Sequence, residues 1–154
     1  MTNNYRKFVF KFYYFMETNE PLKIIIVDDD LDDKELLNYL FDQNESFKLL
    51  GCFDSGKDVI KEILINRNIP DVLLIDMYMP VMTGIEVIKK LEESGVAPNM
   101  FKFIISTTIN DDEQAKYLDN PSVKFIEKPI TMVGIHDLPG IVLESLHHYN
   151  NTKV

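Results

Sequence analysis

Short runs of large aliphatic residues alternate along this chain with stretches whose apolar residues recur every three or four positions. Leu22 to Val27, Phe47 to Phe53, Val72 to Ile75, Phe103 to Ile105 and Val123 to Ile126 are the aliphatic runs, and each predicts a strand. Val72 to Ile75, set between Pro70-Asp71 and Pro80, predicts a strand buried on both faces. Leu36, Leu37, Leu40 and Phe41 share one helical face after the first run. Val59, Ile60, Ile63 and Leu64 share a second face, behind a cap at Ser55 or Asp54. Ile85, Ile88 and Leu91 form a third, closed by Ser94-Gly95. Asn110 or Asp111 caps a short helix through Leu118, which Asn120-Pro121 stops. From Thr131 a last helix carries Val133, Leu138, Ile141, Val142 and Leu146. Its main body starts near Asp137, because Pro139 fits only a first turn. Five strands alternating with five helices predict an α/β fold, a doubly wound five-stranded parallel sheet with right-handed crossovers.

Ligands of such a sheet bind at the C-terminal ends of its strands. The residues placed there are Asp28, Asp29, Asp30, Asp76, Thr107 and Lys128. Carboxylates brought within a few ångströms of one another raise each other's pKa unless a cation compensates. Mg²⁺ suits this set, since it takes oxygen ligands and binds through one or two carboxylates plus a substrate phosphate. Asp76, the lone acid at the tip of the central strand, is then a candidate nucleophile toward phosphorus. Transfer to it builds charge on the phosphoryl oxygens, which a fixed cation, Lys128, and a hydroxyl, Thr107, can stabilise. Pro129 directs the exit of the chain after Lys128 and makes the bond before it a candidate cis peptide. Asp32 and Asp33 read most simply as first-turn acids that favour the helix dipole.

Composition narrows the function classes. With 154 residues the chain makes one domain, so an output module is expected to be another molecule. A net charge of −9 argues against a nucleic-acid or anionic-membrane surface. The single cysteine, Cys52, lies in an apolar run and is expected to be reduced and buried, which points to the cytoplasm. No apolar segment approaches the ~20 residues that a membrane helix needs. Residues 1–20 read as a flexible N-terminal extension, and residues 21–150 as the domain. Within the extension, Arg6, Lys7 and Lys11 alternate with Phe8, Phe10, Phe12, Tyr13, Tyr14 and Phe15. A basic-aromatic anchor is one reading; an upstream stretch from start-codon choice, with Met16 the working start, is preferred.

Three segments resemble the response regulator receiver domain, the phosphoacceptor half of a two-component system. They are Ile24-Ile25-Ile26-Val27-Asp28-Asp29-Asp30, then Leu74-Ile75-Asp76-Met77-Tyr78-Met79-Pro80 with Thr83-Gly84, then Phe125-Ile126-Glu127-Lys128-Pro129. The resemblance implies a stand-alone, single-domain receiver with a flavodoxin-like (βα)5 fold of strand order 2-1-3-4-5. Asp76 would accept a phosphoryl group from a sensor histidine kinase or a histidine phosphotransfer protein. Asp29 would bind Mg²⁺ directly, Asp28 mainly through water, and the backbone carbonyl of Tyr78 would complete the ligands. Lys128 would pair with the phosphoryl group, Thr107 would be the switch hydroxyl, and Phe125 the coupled aromatic. Phe125 lacks the hydroxyl of the commoner tyrosine, and Ser106 and Thr108 leave the register of the switch hydroxyl open by one. Tyr78 and Ile109 border the route of the attacking water and are neither acid nor amide, which implies slow self-dephosphorylation. The implied partners are the kinase or phosphotransfer protein and a downstream effector, with a phosphorylation-dependent homodimer allowed, and with no nucleic acid and no membrane span. The effector surface would lie near Tyr117, Met132, Val133 and Ile135. His147 and His148 read as helix-end charges. Beyond its own phosphorylation and dephosphorylation, no enzymatic activity is implied.

A phosphatase of the haloacid-dehalogenase type is the rival enzyme, with Asp28 as nucleophile and Asp30 as acid. Its order of motifs fails, because Asp76 precedes both Thr107 and Lys128. A receiver that binds without taking phosphate is disfavoured by the complete set of acids, hydroxyl and lysine. A calcium loop starting at Asp28 has Asp33 where Gly is needed and Tyr39 where Glu is needed, and no Gly-rich turn follows the first strand for a dinucleotide.

Overall fold

The computed structural model describes Glu17, residues 19–96 and residues 98–151, with side chains of the last helix described as far as His147. Most of the N-terminal extension, Ala97 and the side chain of His148 lie outside the described residues. The aliphatic runs become β1 (Leu22–Val27), β2 (Phe47–Phe53), β3 (Val72–Asp76), β4 (Phe101–Ser106) and β5 (Val123–Glu127). They pair in parallel as one five-stranded sheet in the order β2-β1-β3-β4-β5, as expected.

Successive side chains of a strand point to opposite faces, so each buried run feeds two cores. Ile24, Ile26, Leu74 and Phe103 meet Leu37 and Phe41 of α1 (Leu31–Asp42) and Leu138 and Val142 of α6 (Leu138–Asn151). On the other face, Ile25, Val27, Leu73 and Ile75 meet α2 (Gly56–Leu64) and α3 (Gly84–Ser94), through Val59, Ile63, Val87 and Ile88. Two short helices, α4 (Asp111–Ala115) and α5 (Met132–His136), complete the set. From β1 the chain crosses one way to β2 and then back past β1 to β3. The reversal leaves a crevice between the C-terminal ends of β1 and β3, and Asp28 and Asp76 sit at its two sides.

The helices start where the short polar side chains stand. Asp30, Ser55, Thr83, Asn110 and Thr131 cap α1 to α5, each accepting from a backbone N–H of the first turn. Thr83 and Glu86 form a reciprocal capping box on α3, and Gly95 ends that helix at φ 66°. Pro139 is the second residue of α6, the first-turn position expected for it.

Four expectations change. The helix begun at Asn110 stops at Ala115 rather than Leu118, because Tyr117 N–H turns to Gln114 O and Asn120 N–H to Tyr117 O, tightening the chain into turns. Strand β4 begins two residues earlier than the apolar run, since Lys102 stays in the sheet. Its buried ammonium donates to Glu92 Oε1 at 3.2 Å and Ser122 Oγ at 3.0 Å. Cys52 is half-buried rather than buried, its thiol directed at Asn38 Oδ1, and desolvation pushes it up to about 11. No cis peptide occurs among the described residues, so the bond before Pro129 is trans.

Candidate functional site

Three loops build the site. The β1–α1 loop begins with Asp28, which is 1% exposed. Its Oδ1 accepts the Asp30 N–H at 3.0 Å, and its Oδ2 accepts from Lys128 Nζ at 2.8 Å. The β3–α3 loop follows Asp76, the last residue of β3, whose Oδ2 accepts the Tyr78 N–H at 3.0 Å. Beyond it, Met77 N–H donates to Ile105 O and Gly84 N–H to Met77 O, which ties the loop both to β4 and to the start of α3. Val81 turns the loop at φ 69°, a left-handed conformation that a β-branched residue rarely adopts. The β5–α5 loop delivers Lys128, whose own N–H donates to Ser106 O at 2.7 Å and so prolongs the β4–β5 ladder.

Asp28, Asp29 and Asp76 each offer an oxygen within 4.8 Å of the other two. Lys128, which is 8% exposed, lies beside two of them, with Nζ 2.8 Å from Asp28 Oδ2 and 3.8 Å from Asp76 Oδ1. Burial, then the charge of Asp28, pushes Asp76 up to about 6 against the pull of Lys128 and the Tyr78 N–H. Burial also raises Asp28, opposed by its hydrogen bond to Lys128. For Lys128, burial acts against the charged form, but the bonds to Asp28 and Asp33 outweigh it and the net shift is upward, so the ammonium is retained. A pocket with this excess of carboxylate over ammonium, with oxygen donors only, fits a hard divalent cation such as Mg²⁺.

Both Asp28 oxygens are engaged, so it is poorly placed as a nucleophile, whereas Asp76 Oδ1 has a cation beside it and beyond hydrogen-bond distance. Asp30, exposed, serves as the α1 cap. Thr107 is exposed at the end of β4. Its neighbour Ser106 is buried, with Oγ donating to Thr108 O at 2.6 Å, so that hydroxyl is turned into its own loop. Phe125 packs its ring 6.0 Å from that of Tyr117. Tyr78, Ile109 and Asn110 line a cavity of about 540 Å³ with Thr108, Asp111 and Asp112. Met132 and Val133 are exposed, while Ile135 is buried in the core.

Sequence reasoning missed Asp33. Assigned there to the helix dipole, it places Oδ2 2.6 Å from Lys128 Nζ. Its place in the first turn of α1, directly after the acidic run Asp28 to Asp30, was the available signal.

Comparison with known proteins gives the family and the fold. Residues 24–138 match the family model of the response regulator receiver domain. The transcriptional regulatory protein YdfI of Bacillus subtilis is 38% identical over 90 residues, which are 58% of this chain and 39% of that protein. A protein-glutamate methylesterase/protein-glutamine glutaminase of Halalkalibacterium halodurans is 29% identical over 136 residues, 86% of this chain and 38% of that protein. The chain therefore spans well under half the length of these relatives. The crystal structure of the response regulator domain of Thermotoga maritima CheB superposes with a TM-score of 0.68 at 24% identity, covering 85% of this chain and 97% of that one, and shares the fold. Among the described residues, no helix is long and apolar enough to cross a membrane.

Proposed function

This chain belongs to the response regulator receiver domain family, and from that premise we propose that Asp76 accepts a phosphoryl group from a phosphohistidine of a sensor histidine kinase or a histidine phosphotransfer protein. One observation carries the proposal: Asp76 stands at the tip of β3 within one cluster of oxygens with Asp28 and Asp29, and beside the buried ammonium of Lys128. In the transfer, an Asp76 carboxylate oxygen forms the new O–P bond as the N–P bond of the donor breaks. The donor leaves as neutral imidazole, keeping the bonding pair and the proton on its other ring nitrogen. A carboxyl raised to about 6 is ionised at neutral pH and more basic than an ordinary aspartate, which suits a nucleophile.

Asp28, Asp29, Asp76 and the backbone carbonyl of Tyr78 would hold Mg²⁺. When bound, the cation supplies positive charge against the phosphoryl oxygens. Lys128 supplies a second, fixed charge, and Thr107 is the hydroxyl assigned to sense the phosphoryl group, with Phe125 following it. In this proposal residues 21–150 form the receiver domain, and an effector recognises the phosphorylated state at a surface that includes Met132 and Val133. The net charge of −9 favours a protein over a nucleic acid there.

Intact-mass measurement after incubation with Mg²⁺ and acetyl phosphate tests the proposal. One phosphoryl adduct is expected in the wild type, and none in Asp76→Asn or after prior chelation of the metal. An adduct that survives Asp76→Asn and disappears in Asp28→Asn would move the chemistry to Asp28. The same assay, followed over time, addresses the bulk of Tyr78 and Ile109, which line one cavity beside Thr108. The wild-type adduct is expected to persist for many minutes and Tyr78→Asn to shorten it, because an amide can orient water where the phenol ring cannot. A wild-type lifetime of seconds that Tyr78→Asn leaves unchanged would contradict this.

A further inference from the structure

We propose that Asp33 is a positioning residue for Lys128, holding its ammonium back from Asp76 until a phosphoryl group competes for it. This rests on the phosphoacceptor role of Asp76. Lys128 Nζ lies 2.6 Å from Asp33 Oδ2 and 2.8 Å from Asp28 Oδ2, but 3.8 Å from Asp76 Oδ1. An ammonium has three N–H donors. Two are taken at hydrogen-bond distance by Asp33 and Asp28, and Asp76 is the acid left beyond that distance.

The two holding partners are not equivalent. Asp28 is enclosed, with its side chain 1% exposed, and its second oxygen is occupied by the Asp30 N–H. It cannot release the ammonium without leaving a buried charge unpaired. The Asp33 side chain is 36% exposed and can turn to water when its partner leaves. Its backbone is fixed by the Asp33 N–H donating to Asp30 Oδ1, so the first turn of α1 aims the carboxylate across the strand ends.

A phosphoryl group on Asp76 adds negative oxygens that outbid a part-exposed carboxylate for Lys128. The ammonium then exchanges Asp33 for the phosphoryl group while keeping Asp28. Asp33 thereby favours the unphosphorylated arrangement, and its removal lowers the cost of the exchange.

The test measures binding of beryllofluoride, a phosphoryl mimic, by ¹⁹F NMR titration at saturating Mg²⁺. Asp33→Asn and Asp33→Ala are each expected to bind roughly three- to fivefold more tightly than the wild type, the scale of a part-exposed ion pair. Asp32→Asn removes the same charge from the neighbouring, exposed position and is expected to bind like the wild type. In a Lys128→Gln background, adding Asp33→Asn is expected to change nothing, a result that general charge removal or altered helix stability would not give. Wild-type affinity in both Asp33 variants, or an equal gain in Asp32→Asn, would overturn the inference. A wild type that binds no beryllofluoride and takes no phosphoryl group would instead remove the phosphoacceptor role itself.

Discussion

Asp76→Asn is expected to resist urea better than the wild type at pH 7.5 without divalent cations, by up to about 3 kcal/mol, and to lose that advantage near pH 4. The sign follows from where the proton sits. Folding raises the Asp76 carboxyl from 3.8 to about 6, so between those values the folded protein binds a proton that the unfolded chain has released. Stability is then fully present below 3.8 and declines as pH rises through about 6. Above that, the ionised Asp76 is held beside Asp28 in a site where its side chain is 14% exposed. Asparagine has nearly the same shape, keeps an oxygen for the Tyr78 N–H, and carries no charge to repel Asp28. Saturating Mg²⁺ is expected to close the gap at pH 7.5, because a ligand bound only by the folded state adds stability to the protein whose carboxylate helps hold it. Equal urea midpoints at pH 7.5, or a difference that persists unchanged at pH 4, would show that Asp76 carries no such strain.

Much of this architecture could be read from one dimension because the three central strands, β1, β3 and β4, are buried on both faces. An aliphatic run such as Val72 to Ile75 has no other stable place in a chain of this size, and Ser55 and Asn110, each one of two cap candidates in the sequence, mark helix starts by their own chemistry. The crevice followed from topology alone, since any acid at the tips of β1 and β3 must face the reversal in strand order. Pairing of polar side chains was less legible. Lys102 fell outside the expected strand because its partners Glu92 and Ser122 are 10 and 20 residues away in sequence. Asp33 looked like one of two equivalent helix acids, and only the geometry of α1 separates it from Asp32. Thr107 among three neighbouring hydroxyls was ambiguous by one residue, because the packing that buries Ser106 and turns its hydroxyl to Thr108 is not written in residue type. Burial can be read from runs of residue type; which of several like charges meets a lysine 95 to 100 residues away depends on the packed turn.

Gly84→Ala is expected to lose about 2 kcal/mol of stability and most of its phosphoryl adduct with acetyl phosphate, although residue 84 carries no functional group. A Cβ at this position would lie 2.6 Å from the backbone oxygen of Asp76 and 3.4 Å from Met77 Cα. The obstacle is main chain, so no rotamer change relieves it. The contact also joins two things that must stay in register: Gly84 opens α3, its N–H donates to Met77 O at 2.9 Å, and the Thr83 capping box holds the turn from the other side. Relief therefore moves either α3 out of the core formed by Val87, Ile88 and Leu91 or the carbonyl at the tip of β3. The second displacement carries the Asp76 carboxylate away from Lys128 and from Asp28, and shifts the loop that presents Tyr78. Gly95→Ala separates this from ordinary glycine loss. Gly95 sits at φ 66°, and a Cβ added there would meet nothing within 4 Å, so alanine strains the end of α3 by about 1 kcal/mol and touches nothing at the site. Urea unfolding is expected to register both variants, and adduct formation only Gly84→Ala. Full adduct formation by a folded Gly84→Ala would mean that the β3 tip can shift by the missing few tenths of an ångström without disturbing Asp76.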